Sequence, residues 1–300
     1  MGGKVTIREV DCLGFQGYEF SNETISLSVV PGIGGRIMSF GLSGSNILFH
    51  NNSLYGFKPE IVEGTIPELK EQRLKCGYLL YGGEKTWIAP QDDWDGPPYM
   101  DLDSGHYDMD IHEENGGVTV QLVSTICRET KLRVRRTIEI PAEGAQIAIT
   151  QSIENLGEET VRKGVWQVTM VNRPSVVNFD TYGESQYEGG IKVFEDFKVG
   201  EDIIRKSDGR AHIHCEDNTV FKLGTDINKG CVETLVKDLS QVFKVEFEPT
   251  QGPYGHGCAI EVYNSAEYPY LEVEVHSPLK EIEPGSRLEH KVYWSIGRQE

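Results

Sequence analysis

From Val5 to Ser295 the chain is a succession of short runs rich in β-branched and aromatic residues, separated by Gly, Pro, Asn and Asp. The runs are 5–10, 12–20, 24–29, 36–42 and 46–49, then 106–112, 117–127, 131–140, 145–154 and 162–171. They continue at 190–197, 211–215, 219–223, 231–236, 241–247, 259–263, 271–276 and 287–295. Many short strands between turn signals predict a large antiparallel sandwich or barrel. Only 66–74 hints at a helical turn, and no strand–helix alternation appears, which excludes a doubly wound parallel sheet. Strand density is even, with no linker, low-complexity segment or fixed-period repeat. The expectation is an all-β chain forming one continuous domain over residues 1–300.

One strand bears most on function. In 271–276, Leu271, Val273 and Val275 share one parity, and Glu272, Glu274 and His276 share the other. Strict alternation predicts a half-buried strand. Residues two apart lie roughly 7 Å apart on one face, so two carboxylates and an imidazole stand in a row. Two readings stay open. One is a solvated strand face, where carboxylates mostly sit. The other is a proton-transfer row lining a cleft, since neighbouring carboxyls push their pKa values apart and yield an acid and a base.

Charge narrows the partner. Lys and Arg number 29 against 47 Asp and Glu, a net charge of −18. A chain this acidic predicts no nucleic-acid and no membrane partner, and fits a neutral or cationic small molecule better. The six cysteines are scattered without zinc spacing, so they read as reduced structural thiols. The N-terminal residues lack an apolar signal core, and no apolar run reaches a membrane span. Cytoplasmic localisation is the expectation.

The section 77–110 reads as a long Gly/Pro-rich loop carrying Lys85, Trp87, Gln91, Trp94 and Tyr99 with several Asp. Loops of this length are functional or mobile. Either the Trp rings offer a platform to a sugar face, or they pin the loop to the body. Gln91, Asp93, Asp95 and Gly96 partly mimic an EF-hand, but the twelfth position is Leu102, so no metal site is expected. In 31–36 the glycines make a tight turn before a strand, and Arg36 is placed to point into a site. Arg133 and Arg135 share one face of their strand and Arg136 takes the other. Arg133 pairs with acids or reaches a cleft, where its guanidinium would grip a substrate oxygen. In 163–170, Trp166 and Gln167 lie on opposite faces, and alternation leaves open which one looks into a site. His212 and His214 share a strand face and read as an edge-strand pair. His256 reads as a rim histidine.

Three stretches together resemble the galactose mutarotase-like (aldose 1-epimerase-like) superfamily. They are Pro31-Gly32-Ile33-Gly34-Gly35-Arg36 with Gly44-Ser45-Asn46; Gly82-Gly83-Glu84-Lys85-Thr86-Trp87 with Ala89-Pro90-Gln91; and Tyr270-Leu271-Glu272-Val273-Glu274 with Ser277-Pro278-Leu279. The resemblance implies a β-supersandwich of two large antiparallel sheets. It also implies acid–base sugar chemistry without a cofactor, in which a glutamate takes the anomeric proton and a histidine protonates the ring oxygen. Glu272 or Glu274 matches the glutamate strand. The mid-chain histidine motif is missing, since the corresponding stretch reads Gly164-Val165-Trp166-Gln167-Val168-Thr169. His276, His256 or Lys85 would then supply the acid. The leading expectation is an epimerase-like isomerase acting on a sugar or sugar-like cyclic hemiacetal. Glu272, Glu274, His276 and Lys85 would be catalytic; Arg36, Trp87, Gln91, Trp94, Arg133, Trp166 and Gln167 would contact the substrate. The alternatives are a non-catalytic carbohydrate-binding protein and a cleft repurposed for cyclisation, lysis or isomerisation of a non-sugar metabolite.

Overall fold

The computed structural model describes residues 3–200, 202–227 and 229–299. Among these, two antiparallel sheets hold eleven and ten strands. The first sheet runs β1 (Thr6–Cys12), β2 (Phe15–Ser21), β3 (Ile25–Val30), β4 (Arg36–Leu42), β5 (Glu84–Ala89), β10 (Val161–Asn172), β19 (Tyr270–His276), β18 (Ile260–Asn264), β15 (Phe221–Thr225) and β12 (Lys192–Val193). β20 (Lys280–Ile282) pairs with the outer part of β10. The second runs β13 (Ile204–Ser207), β14 (Arg210–Cys215), β11 (Ser175–Asp180), β16 (Cys231–Val236), β17 (Gln241–Phe247), β21 (Arg287–Arg298), β9 (Gln146–Asn155), β8 (Leu132–Ile140), β7 (Gly117–Ser124) and β6 (Tyr107–Glu114).

The sheets pack face to face. One apolar cluster draws Leu27, Ile88, Val165 and Leu271 from the first sheet and Val134, Ile149, Phe243 and Val292 from the second. Period-two burial drives this, as in β8, where Leu132, Val134, Ile138 and Ile140 turn inward. Arg136 shares that inward face and is fully buried, ion-paired to Glu84 across the sandwich. A charge there is tolerated only because its partner is equally dry.

Several elements depart from the sequence expectation. Residues 84–89 were expected within an irregular loop, yet β5 is a central strand with all six residues buried. A strand covered on both faces has no polar parity, so alternation does not reveal it. β19 likewise is buried at every position, so the face expected to be half-solvated is covered. The stretch 46–49 makes only an isolated bridge, Leu48 to Val171. At 66–74, where a turn was expected, an eleven-residue helix α1 (Ile66–Cys76) forms. Its start is written in Thr65 with Glu68 three residues on, a capping box, and in Pro67. It buries only Leu69 and Arg73, too few apolar contacts for a clear helical period.

Candidate functional site

Sheet register builds the site. Across β5, β10, β19 and β18 it aligns Lys85, Val168, Glu274 and Glu261. One row away it aligns Trp87, Trp166 and His276. On the other side it aligns Met170, Glu272, Tyr263 and, on β15, Lys222. These residues share the face turned away from the apolar core. Of them Trp87, Trp166, Lys222, Tyr263, Glu272 and Glu274 floor a cleft of about 970 Å³, with Tyr78, Gln91 and His256 among its walls.

Glu274 is the centre of the floor and is fully buried. Trp166 Nε1 donates to its Oε2 at 2.7 Å, and Lys222 Nζ donates to both oxygens at 3.1 and 3.0 Å. Lys222 also reaches Glu261 Oε2 at 2.7 Å. On its other oxygen, Glu261 meets His256 Nδ1 at 3.1 Å and His276 Nε2 at 3.4 Å. His276 Nε2 lies 3.9 Å from Glu274.

One ammonium among two buried carboxyls splits their proton affinities. Burial pushes the Glu274 carboxyl up to about 8, with Glu261 and Glu272 adding to the rise and Lys222 opposing it. Burial also acts on Glu261, but Lys222 and His276 outweigh it and hold that carboxyl well below the usual range. Lys222 is kept charged because its two carboxylate partners overcome its own desolvation. Burial lowers the proton affinity of His276, and Glu261 opposes that fall. Two carboxyls sharing one ammonium and shifted in opposite directions are the arrangement that stores a transferable proton near neutral pH.

The aromatic wall is closely packed. Trp166 stacks on Trp94 (5.5 Å between ring centres) and on His276 (5.3 Å), and Trp87 meets Trp166 edge-on at 4.9 Å. Trp87 Nε1 donates to Asp103 at 2.7 Å, and Arg36 holds the same carboxylate at 2.9 Å.

The expected site residues therefore divide. Glu272, Glu274, Trp87, Gln91 and Trp166 line the cleft together. His276 lies buried behind Glu274. Lys85 is buried beneath the floor, 3.7 Å from Glu272 and 3.8 Å above the Trp87 ring, with its charge disfavoured by burial and partly restored by Glu272. Trp94 backs the wall. Arg36 acts at one remove, through Asp103. Gln167 faces the core, where it donates to Glu84 at 3.1 Å, so register resolves the Trp166/Gln167 choice in favour of Trp166. Arg133 sits on the second sheet, paired with Glu154 at 2.6 Å.

Lys222 and Glu261 were not among the residues picked from the sequence. Their only signal was a single charge at the polar parity of a short strand, which solvated strands carry as well. The sequence marks His256 as a rim histidine and a candidate acid, and its bond to Glu261 ties it to the buried carboxyl cluster.

His256, Glu261 and His276 place a nitrogen, an oxygen and a nitrogen within 4.8 Å of one another, the donor set of a cation site. Two contacts oppose a cation. The Lys222 ammonium already neutralises Glu261. The Gln91 N–H points at His256 Nε2 at 3.4 Å, which leaves the ring proton on Nδ1 facing Glu261. Four of the loop acids are also committed to cations: Asp93 to Lys163, Asp95 to Lys70, Asp101 to Arg128 and Asp103 to Arg36. His212 bonds Asn178 and Ser207, and His214 bonds Glu216. No helix among the described residues is long and apolar enough to cross a membrane.

No family model and no curated protein matches the chain. Solved structures do. A galactose mutarotase-like protein from Clostridium acetobutylicum superposes with a TM-score of 0.60 at 11% identity, covering 98% of this chain and 99% of that one. A galactose mutarotase-like protein from Lactobacillus casei gives 0.57 at 7% identity, covering 97% and 100%. A galactose mutarotase related enzyme from Lactobacillus acidophilus gives 0.55 at 11% identity, covering 94% and 98%. At such identities the likeness is one of architecture: the two large antiparallel sheets form the galactose mutarotase-like supersandwich.

Proposed function

We propose that the protein is a cofactor-independent, epimerase-like isomerase acting on a sugar or sugar-like cyclic hemiacetal. The observation that carries this reading is the Glu274 carboxyl, buried at the floor of an aromatic-walled cleft and bonded by Lys222 and Trp166. Trp87 and Trp166 provide an apolar edge for a ring, and Gln91 and Glu272 provide hydrogen-bonding groups for its hydroxyls. Glu274, protonated at neutral pH, gives its proton to the ring oxygen. His256, whose Nδ1–H is held by Glu261, takes the anomeric proton on Nε2, where the substrate hydroxyl displaces the long 3.4 Å contact from the Gln91 N–H. The ring opens to the aldehyde, the terminal bond rotates, and the proton transfers run backwards to close the other anomer. Lys222 steadies the Glu274 carboxylate while it is ionised. Glu272, with Lys85 beneath it, and His276, behind Glu274, set the field around that carboxyl. A base and an acid tuned near the working pH are what such exchange requires.

The test is proton NMR of anomer exchange on freshly dissolved aldoses, comparing wild type with Glu274→Gln and His256→Gln. The expected result is acceleration for at least one sugar, lost by about 10²-fold or more in each variant, the usual scale of acid–base catalysis. Acceleration that survives Glu274→Gln refutes the assignment. Tryptophan quenching by a sugar with no exchange makes the cleft a binding site instead.

A further inference from the structure

The charges of the cleft are unequal in availability as well as in number. Asp92, Glu195, Asp196 and Glu267 line it, and their carboxylates make no ion pair or side-chain hydrogen bond among the described residues. Glu272 has Lys85 as its one cationic partner among the described residues, 3.7 Å below it. The cations are committed. Lys222 is held by Glu261 and Glu274. Lys192 Nζ donates to the His256 carbonyl at 2.6 Å and lies 4.3 Å over the Phe194 ring. Among the described residues no arginine lines the cleft. A phosphate or carboxylate is normally gripped by a guanidinium fork or a free ammonium. Here it would meet Lys192, bonded to a carbonyl, and Lys222, held by two buried carboxyls, while facing five further acids.

A cation meets the opposite situation. Tyr263 stands opposite Glu272 in the register, and its ring lies 6.4 Å from that of Tyr270. Both rings line the cleft with Glu267 and Glu272. Ring faces beside carboxylates attract an ammonium through the quadrupole as well as through charge.

We infer that this cleft takes an uncharged or amine-bearing ring, the amine favoured, and turns away phosphorylated and carboxylated rings. The inference rests on the proposal that the cleft holds a sugar-like ring, and it fixes the class of that ring by charge.

Intrinsic tryptophan fluorescence separates the two ideas. The protein is titrated with glucose, glucosamine, glucose 6-phosphate and glucuronate. Each titration is run near 0.01 M and near 1 M salt, where the Debye length is about 30 Å and about 3 Å. The expected order at low salt is glucosamine, glucose, then the two anions. Glucosamine should bind at least about tenfold tighter than glucose 6-phosphate, with the gap closing at high salt. The double variant Glu195→Gln/Asp196→Asn, whose carboxylates are exposed and unpaired, should narrow the gap without loss of fold. Either anion binding as tightly as glucosamine overturns the inference and leaves the sugar reading standing. A gap indifferent to salt and to the double variant also overturns it. Absence of binding by all four ligands overturns both.

Discussion

Removing the Lys222 ammonium while keeping its volume, as Lys222→Met, probes the site without assuming any reaction. Lys222 lies 2.7 Å from Glu261 and 3.0 Å from Glu274, and both carboxyls are fully buried. Glu274 tolerates the loss by keeping its proton, because its affinity is already raised to about 8. Glu261 does not, because Lys222 is the main influence holding it ionised. Breaking a buried pair by removing one partner costs about 3–5 kcal/mol. Unfolding 300 residues releases roughly 0.6 kcal/mol per kelvin of entropy, so the melting temperature should fall by about 5–8 °C. The sign with pH follows from the low folded pKa of Glu261. Its pairing stabilises the fold above the ordinary carboxylate range and is lost as pH falls through the folded value. The deficit of the variant is therefore largest at neutral pH and shrinks toward about pH 4. Thermal melts of wild type and variant at about pH 7 and about pH 4 measure both effects. A neutral-pH loss under about 1.5 °C, or an equal loss at both pH values, would show that Lys222 does not hold the cluster together.

Glu274→Gln should change the pH dependence of stability as well as activity. Because the folded pKa lies above the unfolded one, the wild-type carboxyl costs stability as pH rises from about 4.5 to about 8, and the glutamine does not. The variant should gain melting temperature relative to wild type between pH 5 and pH 9, and parallel curves would contradict the raised affinity. Asp103→Ala should cost about 3–5 kcal/mol, since it strands the fully buried Arg36 and frees the Trp87 indole. A melting point unchanged within about 1 °C, or tryptophan emission identical to wild type, would refute the role given to that pair.

How much was legible follows from what each residue touches. The two-sheet architecture was readable because most strands have one covered face, and alternation records it, as in β8. The same logic placed Glu272, Glu274 and His276 on one face of β19 and Trp166 opposite Gln167 on β10. It failed for β5, covered on both sides, and for α1, whose seat depends on Arg73 gripping Glu129 and the carbonyls of Trp94 and Pro97. Arg36 and Arg133 carry the same charge and were both candidates to grip a substrate, yet one is locked behind the aromatic wall and the other pairs on the far sheet.

The sequence by itself therefore determined the class of fold, the parity of the strands with one covered face and the acidic balance of the chain, because these depend on side-chain period and on summed charge. Only the tertiary structure decided that Lys222, Glu261 and His256 join Glu274. Their chain separations run from 13 to 52 residues. Their meeting depends on the pairing order β19–β18–β15, a long-range hydrogen-bonding choice that leaves no local trace. The proton affinity of Glu274 depends in turn on that meeting.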